Sequence, residues 1–215
     1  MVTHYIHRGL AKKKLEENTL AAFKYSFKKG YGIETDIHYT KDNKIICFHD
    51  FNLKNKFKVN RRIKETNYNE IKKISLKFNS KVPLLEDLLE LRRRKFPLMI
   101  EIKPIFSKKN LIALLDKIKG IKNCCLTSFH EKNLINLTKL KKKLSLGIIF
   151  SKSTPVKKLI LKSKKKHIKL LVVEKKFLKN PKLNKVDIPI FYYTSKSKDI
   201  FNKYKNDKNL IFENL

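Results

Sequence analysis

Eight short apolar runs recur along this chain, most of them separated by polar stretches with helical spacing, and this alternation constrains the fold more than any other feature. The runs fall at 3–8, 32–38, 97–102, 123–127, 145–149, 169–173, 188–193 and 209–213. Helical stretches lie between them at 17–29, 84–95, 108–118, 131–142, 155–163 and 197–205. Leu20, Phe23 and Phe27 show the spacing in the first, and Pro83 suits the start of the second. Strands alternating with helices imply a parallel sheet. Eight strands in 215 residues predict a small α/β protein, a (β/α)8 TIM barrel occupying 1–215 as a single domain. No helical stretch follows the last run, so the barrel is expected to lack its eighth helix. That would expose part of the last strand's outer face, and it keeps a homodimer open as an expectation.

One segment breaks the rhythm. Residues 44–48 read as a ninth strand, yet only Tyr39–Asn43 separate them from 32–38. A parallel crossover needs about a dozen residues. The segment should therefore fold back on 32–38 or lie across the barrel mouth, ending at His49-Asp50. Residues 51–82 then form an insertion-like excursion over the C-terminal mouth.

Charge and cysteine content narrow the class. The chain carries 46 Lys and 6 Arg against 19 acidic residues, a net +33. The lysines run the whole length and accompany many Asn and Ile, all with AT-rich codons, so the excess reads as composition rather than a nucleic-acid face. Such a surface still draws anionic ligands. The run Arg92–Lys95 ends a helical stretch, where positive charge suits the dipole, and reads as a solvated helix end. No run of about 18 apolar residues offers a membrane span. The N-terminus shows no secretory pattern. Three cysteines, Cys47 and the adjacent Cys124 and Cys125, argue against a disulfide framework and for a reducing, cytoplasmic setting.

In such barrels, chemistry sits at the C-terminal ends of the strands. His7, Arg8 and Gly9 close the first strand. Glu34 and Asp36, two apart on the second, share a face, as do Glu101 and Lys103 at the end of the third. His49 ends the extra segment. Ile33, Ile37, Ile100 and Ile102 alternate with the acids as buried positions do, and buried carboxylates need a partner. Three carboxylates at one mouth repel one another unless a cation intervenes, and an all-oxygen set favours Mg²⁺ or Ca²⁺. Arg8 and Lys103 supply positive charge for a phosphate. His7 and His49 can serve as base and acid. The residues alone point to metal-dependent phosphoester chemistry.

The ordered motifs also carry a resemblance. His7-Arg8-Gly9, Glu17-Asn18-Thr19, Glu34-Thr35-Asp36, Thr40-Lys41-Asp42, His49-Asp50, Glu101-Ile102-Lys103 and Thr127-Ser128-Phe129 resemble the signature of glycerophosphodiester phosphodiesterases. The resemblance implies a metal-dependent barrel that hydrolyses glycerophosphodiesters to glycerol 3-phosphate and an alcohol, through a cyclic phosphate. It would make Glu34, Asp36 and Glu101 the ligands of a divalent cation, Mg²⁺ or Ca²⁺. His7 and His49 would be the acid/base pair, with Arg8 and Lys103 on the phosphate. Related readings are another phosphodiester substrate, such as a lysophospholipid, and a non-catalytic polyanion binder.

The sequence departs from that family pattern at several places. Glu16 stands where Pro is usual, and Asn43 where Gly is usual. Leu53–Asn60 replaces an Arg-Thr-Thr stretch, Tyr193 stands for Trp, and Phe212-Glu213 for Thr-Asp. Asp50 reads as an orienting residue, Asn18 as a mouth residue or a helix N-cap, and Phe129 and Tyr193 as rim packing. His4, His38, His130 and His167 read as structural or surface, with His38 sharing the face of Glu34 and Asp36.

Overall fold

The structure is a computed structural model that describes residues 2–11, 15–92, 96–141 and 143–213. In chain order its elements are β1 (Tyr5–His7), α1 (Leu20–Lys28), β2 (Gly32–Tyr39), β3 (Ile45–Cys47), α2 (Lys54–Phe57), α3 (Tyr68–Leu76), α4 (Leu85–Leu91), β4 (Leu98–Ile102), α5 (Lys108–Lys117) and β5 (Cys124–Ser128). They continue with α6 (Glu131–Leu140), β6 (Ser145–Phe150), α7 (Val156–Ser163), β7 (Leu170–Glu174), β8 (Ile190–Ser195), α8 (Lys198–Tyr204) and β9 (Asn209–Phe212). Each of the eight apolar runs overlaps a strand to within one or two residues at its C-terminal end, and each helical stretch contains a helix. Between β7 and β8 the chain forms two short 3-10 turns, at Lys175–Phe177 and Pro181–Lys185.

The eight parallel strands close on themselves, because β1 pairs in parallel with both β2 and β9. Alternation along each strand divides the barrel into two cores. Ile33, Ile37, Leu98, Ile100, Leu126 and Leu171 point outward under the helices. Tyr5, Met99, Cys125, Ile149, Val172, Phe191 and Ile211 fill the interior. The interior apolar plug ends below His7, Glu34, Asp36 and Glu101, which take the next inward positions toward the C-terminal mouth. The register places His7 beside Glu34 and Asp36 beside Glu101.

Segment 44–48 takes the first of its two expected courses. Strand β3 runs antiparallel to β2, with Ile37 opposite Cys47 and Tyr39 opposite Ile45. Asn43 in the connecting turn sits at φ +57°, a left-handed conformation that explains why glycine suits that position. The following excursion carries a small core of its own, built on Phe48, Leu53, Phe57, Ile63 and Ile71.

Two expectations are corrected. The outer face of β9 is covered: Leu210 and Phe212 are buried, and Phe201 of α8 and Tyr31 pack against Phe212. The apolar face that kept a homodimer open is therefore already occupied within the chain. Arg92 does not project into solvent either. It is buried, and its guanidinium donates to the main-chain carbonyls of Phe96 and Lys122. Arg93, Arg94 and Lys95, the rest of that run, lie outside the described residues. Among the described residues no helix is long and apolar enough to cross a membrane, and all three cysteines are unpaired.

Gly32 opens β2 against the segment leading into β4. A Cβ there would come within 2.5 Å of the Pro97 carbonyl oxygen and 2.6 Å of its Cγ. Because the obstacle includes main chain, Gly32→Ala should cost about 1–3 kcal/mol of stability, read as a lower urea midpoint at unchanged slope.

Candidate active site

The β1–α1 connection is shaped by backbone constraints that the His-Arg-Gly sequence serves. Arg8 lies at φ +54° and Gly9 at φ +76°. A Cβ on Gly9 would meet Phe23 Cδ1 at 2.9 Å and the Ala22 carbonyl carbon at 3.0 Å, so the turn needs glycine. Arg8 N–H donates to the Glu34 carbonyl at 2.8 Å, continuing the β1–β2 pairing beyond the strand. The less favourable conformation at Arg8 is held by that bond and by the ion pairs of its side chain.

At the C-terminal mouth, one carboxylate oxygen from each of Glu34, Asp36 and Glu101 falls within 4.8 Å of the others. All three side chains are buried. Two cations face them. Arg8 Nε lies 3.0 Å from Asp36 Oδ2. Lys103 Nζ lies 3.4 Å from Asp36 Oδ1 and 2.9 Å from Glu101 Oε1. Asn18 Nδ2 donates to Asp36 Oδ2 at 3.1 Å while Thr35 Oγ1 donates to Asn18 Oδ1 at 2.7 Å. Asn18 is thus a support beneath Asp36, and the cap of α1 is Thr19, which accepts from Ala22 N–H.

The protonation of the cluster follows from these contacts. Burial raises the pKa of Asp36, but Arg8 and Lys103 outweigh it and hold the carboxyl below its ordinary value. Glu34 is raised well above its ordinary value by burial, then by the charges of Asp36 and Glu101. Glu101 is pushed up to about 7 by burial and by Asp36. Two positive side chains are too few for three carboxylates, and the shortfall falls on Glu34 and Glu101. Three converging, buried oxygen donors, two of them short of positive charge, fit a hard divalent cation such as Mg²⁺ or Ca²⁺.

The histidines flank this cluster, each with Nδ1 bonded to a carboxylate. His7 Nδ1 is 2.9 Å from Glu213 Oε2, and its Nε2 is 3.9 Å from Glu34 Oε2. His49 Nδ1 is 2.7 Å from Asp50 Oδ1. Asp50 is fixed in turn by Asn55 Nδ2 at 2.9 Å, and Glu213 by Lys196. Burial, together with Arg8 and Lys103, keeps His49 below its ordinary pKa despite Asp36 and Asp50. The His49 main chain is held from below by His38, whose Nε2 is 3.1 Å from the His49 carbonyl. Burial lowers His38 to about 4, so it stays neutral and structural.

A cavity of about 130 Å³ joins these groups. His7, Arg8, Glu34, His49, Glu101 and Lys103 all line it, leaving Asp36 beneath as the counter-charge of Arg8 and Lys103. Six of the seven residues singled out from sequence therefore share one cavity, and the seventh touches two of them. Thr127, Phe129 and Tyr193 also line it, together with apolar residues of the barrel interior such as Met99 and Ile149. Phe129 lies over Lys103 at 5.9 Å, and Tyr193 donates to the Phe150 carbonyl at 3.0 Å. Both face the cavity rather than only packing at the rim. Ser128 turns away and donates to the Ile102 carbonyl, a structural role. Glu213 escaped the sequence reading. Its signal was a carboxylate ending the strand that neighbours β1.

The sequence pattern of the Glycerophosphoryl diester phosphodiesterase family matches residues 7–200. A glycerophosphodiester phosphodiesterase of Bacillus altitudinis is 30% identical over 164 residues, covering 69% of this chain and 66% of that protein. The uncharacterized protein YqiK of Bacillus subtilis is 36% identical over 112 residues, covering 48% of this chain and 46% of that protein. The chain thus spans about half to two thirds of the length of these curated relatives. The crystal structure of a Thermotoga maritima glycerophosphodiester phosphodiesterase superposes with a TM-score of 0.82 at 25% identity, covering 99% of this chain and 94% of that one.

In protein stripped of divalent ions, the raised pKa of Glu101 makes folding favour its acid form. That contribution to stability is present below pH 4.5 and is lost as pH rises to about 7. Urea unfolding in EDTA should show a loss of up to about 3 kcal/mol over this window. Glu101→Gln should remove the Glu101 share of it and leave that of Glu34. Saturating Mg²⁺ or Ca²⁺ should remove it from the wild type only. An unchanged pH slope in the variant would show that Glu101 is not the group responsible.

Proposed function

The chain belongs to the glycerophosphoryl diester phosphodiesterase family, and on that premise we propose that it hydrolyses glycerophosphodiesters to glycerol 3-phosphate and an alcohol, assisted by a divalent cation. The observation that carries the proposal is the convergence of His7, His49, Arg8, Lys103 and the carboxylate cluster on one cavity. Glu34, Asp36 and Glu101 would hold the divalent cation, and the chemistry it would supply is Lewis-acid polarisation of the phosphate.

The chain's own groups supply the rest. Arg8 and Lys103 orient the phosphate and stabilise the charge that builds on its oxygens. With Nδ1 of each histidine engaged by a carboxylate, Nε2 is the nitrogen left for proton transfer. One histidine takes the proton of a glycerol hydroxyl as its oxygen bonds to phosphorus. The bond from phosphorus to the alcohol breaks, and the other histidine protonates the departing oxygen. Water then opens the cyclic phosphate with the two histidines exchanging roles, which restores both to their starting protonation. Glu213 and Asp50 act through the histidines, fixing tautomer and ring orientation. The three unpaired thiols support a reducing, cytoplasmic setting for this chemistry.

Release of glycerol 3-phosphate from glycerophosphocholine or glycerophosphoethanolamine should be abolished by EDTA and restored by Mg²⁺ or Ca²⁺. His7→Ala should lower kcat by about 10²–10⁴-fold. Activity that survives both treatments refutes the mechanism. Glu213→Gln keeps a side chain of the same size but removes the charge facing His7. It should lower kcat about tenfold or more with little change in KM and shift the pH profile. An unaltered profile would reduce Glu213 to a packing residue.

A further inference from the structure

The mouth holds the catalytic cavity and, beyond His49, a groove of about 390 Å³ that includes Glu16, Glu17 and Asp50. A larger hollow, of about 660 Å³, lies at the opposite end of the barrel. Its lining comes from the N-terminal ends of the strands. Tyr5 opens β1, Cys124 opens β5, Ser145 opens β6, Leu170 opens β7 and Asn209 opens β9. The apolar plug between this hollow and the catalytic cavity is thin. Cys125 and Phe191 line the lower space, while Met99 and Val172, their partners in strand register, line the upper one. That plug shuts the lower hollow off from Arg8, Lys103 and the carboxylate cluster.

The charges around the lower hollow are one-sided. Among the described residues no carboxylate lines it. Lys169 stands exposed in its wall and pairs with no acid among them. Arg92 lies behind the wall, its guanidinium on the carbonyls of Phe96 and Lys122, which immediately precede Pro97 and Asn123 of the lining. All 19 acidic side chains belong to the described residues, and none of them pairs with Arg92. Its Nη1 is buried without a hydrogen-bond partner. A buried charge lacking a counter-ion is costly, and salt screens it little. Asp187 and Asp207, each two residues before a lining position, are exposed, and Lys122, Lys143 and Lys208 stand equally near the lining in sequence. Tyr5, Leu170 and Phe191 give the hollow apolar surface, while Thr3, Asn123 and Ser145 bring polar groups to it. We propose that this hollow binds a small organic anion, with one acidic group facing Lys169 and an apolar body against Tyr5, Leu170 and Phe191. The site stands apart from the hydrolytic reading, and its occupant does not compete with substrate.

The test titrates the full chain, in Mg²⁺, with naphthalene-1-sulfonate by calorimetry, with and without excess glycerol 3-phosphate. One sulfonate should bind per chain, with the same affinity in both series. The neutral body, 1-naphthalenemethanol, and the bare anion, inorganic sulfate, should each bind about tenfold more weakly or worse. Lys169→Glu should weaken the sulfonate by about tenfold or more. Ser145→Trp, which fills the hollow without changing charge, should abolish binding. Both positions are exposed, and an unchanged urea midpoint shows that each variant folds. Binding that survives both variants, several sulfonates per chain, equal affinity for the neutral body, or no binding overturns the site. A sulfonate that glycerol 3-phosphate displaces sits in the catalytic cavity, which overturns it as well.

Discussion

Three carboxylates brought within 4.8 Å of one another inside a protein repel strongly unless opposite charge meets them, and the upper half of the barrel is organised around that problem. Strand register does the assembling: β1, β2 and β4 align so that His7 faces Glu34 and Asp36 faces Glu101. The compensation comes from residues next to the acids in sequence. Arg8 follows His7 and is bent back by a left-handed turn that Gly9 permits. Lys103 follows Glu101 by two residues and bridges it to Asp36. The result is uneven: Asp36 is well matched, while Glu34 and Glu101 keep raised pKa values. A site that was a purely structural ion-pair network would have no reason to leave two buried acids short of charge.

The two histidines obey one rule on opposite sides of the cluster. Each has its Nδ1 against a carboxylate that is itself tied down, Glu213 by Lys196 and Asp50 by Asn55. The proposed acid/base cycle would use such matched partners, because the acid of one half-reaction is the base of the next. Their surroundings differ nonetheless. His49 lines two cavities, and burial together with Arg8 and Lys103 keeps its pKa below the ordinary value. His7 instead turns its Nε2 toward Glu34, at 3.9 Å.

Much of this was legible in the sequence because it is local. Strand positions followed from apolar alternation, and the shared face of Glu34 and Asp36, or of Glu101 and Lys103, followed from a period of two. The hairpin of β2 and β3 followed from a connection too short for a crossover. Less legible were features set by contacts distant in sequence. Glu213 reaches His7 only because β9 closes on β1, across 206 residues. Arg92 read as a solvated helix end, yet it turns inward to carbonyls that only the folded chain brings near. The outer face of β9 read as bare because a missing helix was counted without Phe201 and Tyr31, which cover it. Asn18 read as a mouth residue or an N-cap, between which residue type could not choose; its left-handed backbone aims the amide at Asp36.

The large positive charge of the chain bears on the rival idea of a polyanion binder, and the placement of the acids argues against it. Only 19 acidic residues occur among 215. Seven of them, Glu16, Glu17, Glu34, Asp36, Asp50, Glu101 and Glu213, gather around the two cavities of the mouth. A scaffold that gripped a polyanion at this face would gain from the opposite arrangement, since each carboxylate there repels a phosphate backbone. A small phosphodiester bound beside a divalent cation requires just such acids, with Arg8 and Lys103 kept close enough to offset them. The lysines run the whole length of the chain, whereas seven of its few carboxylates are concentrated at the mouth.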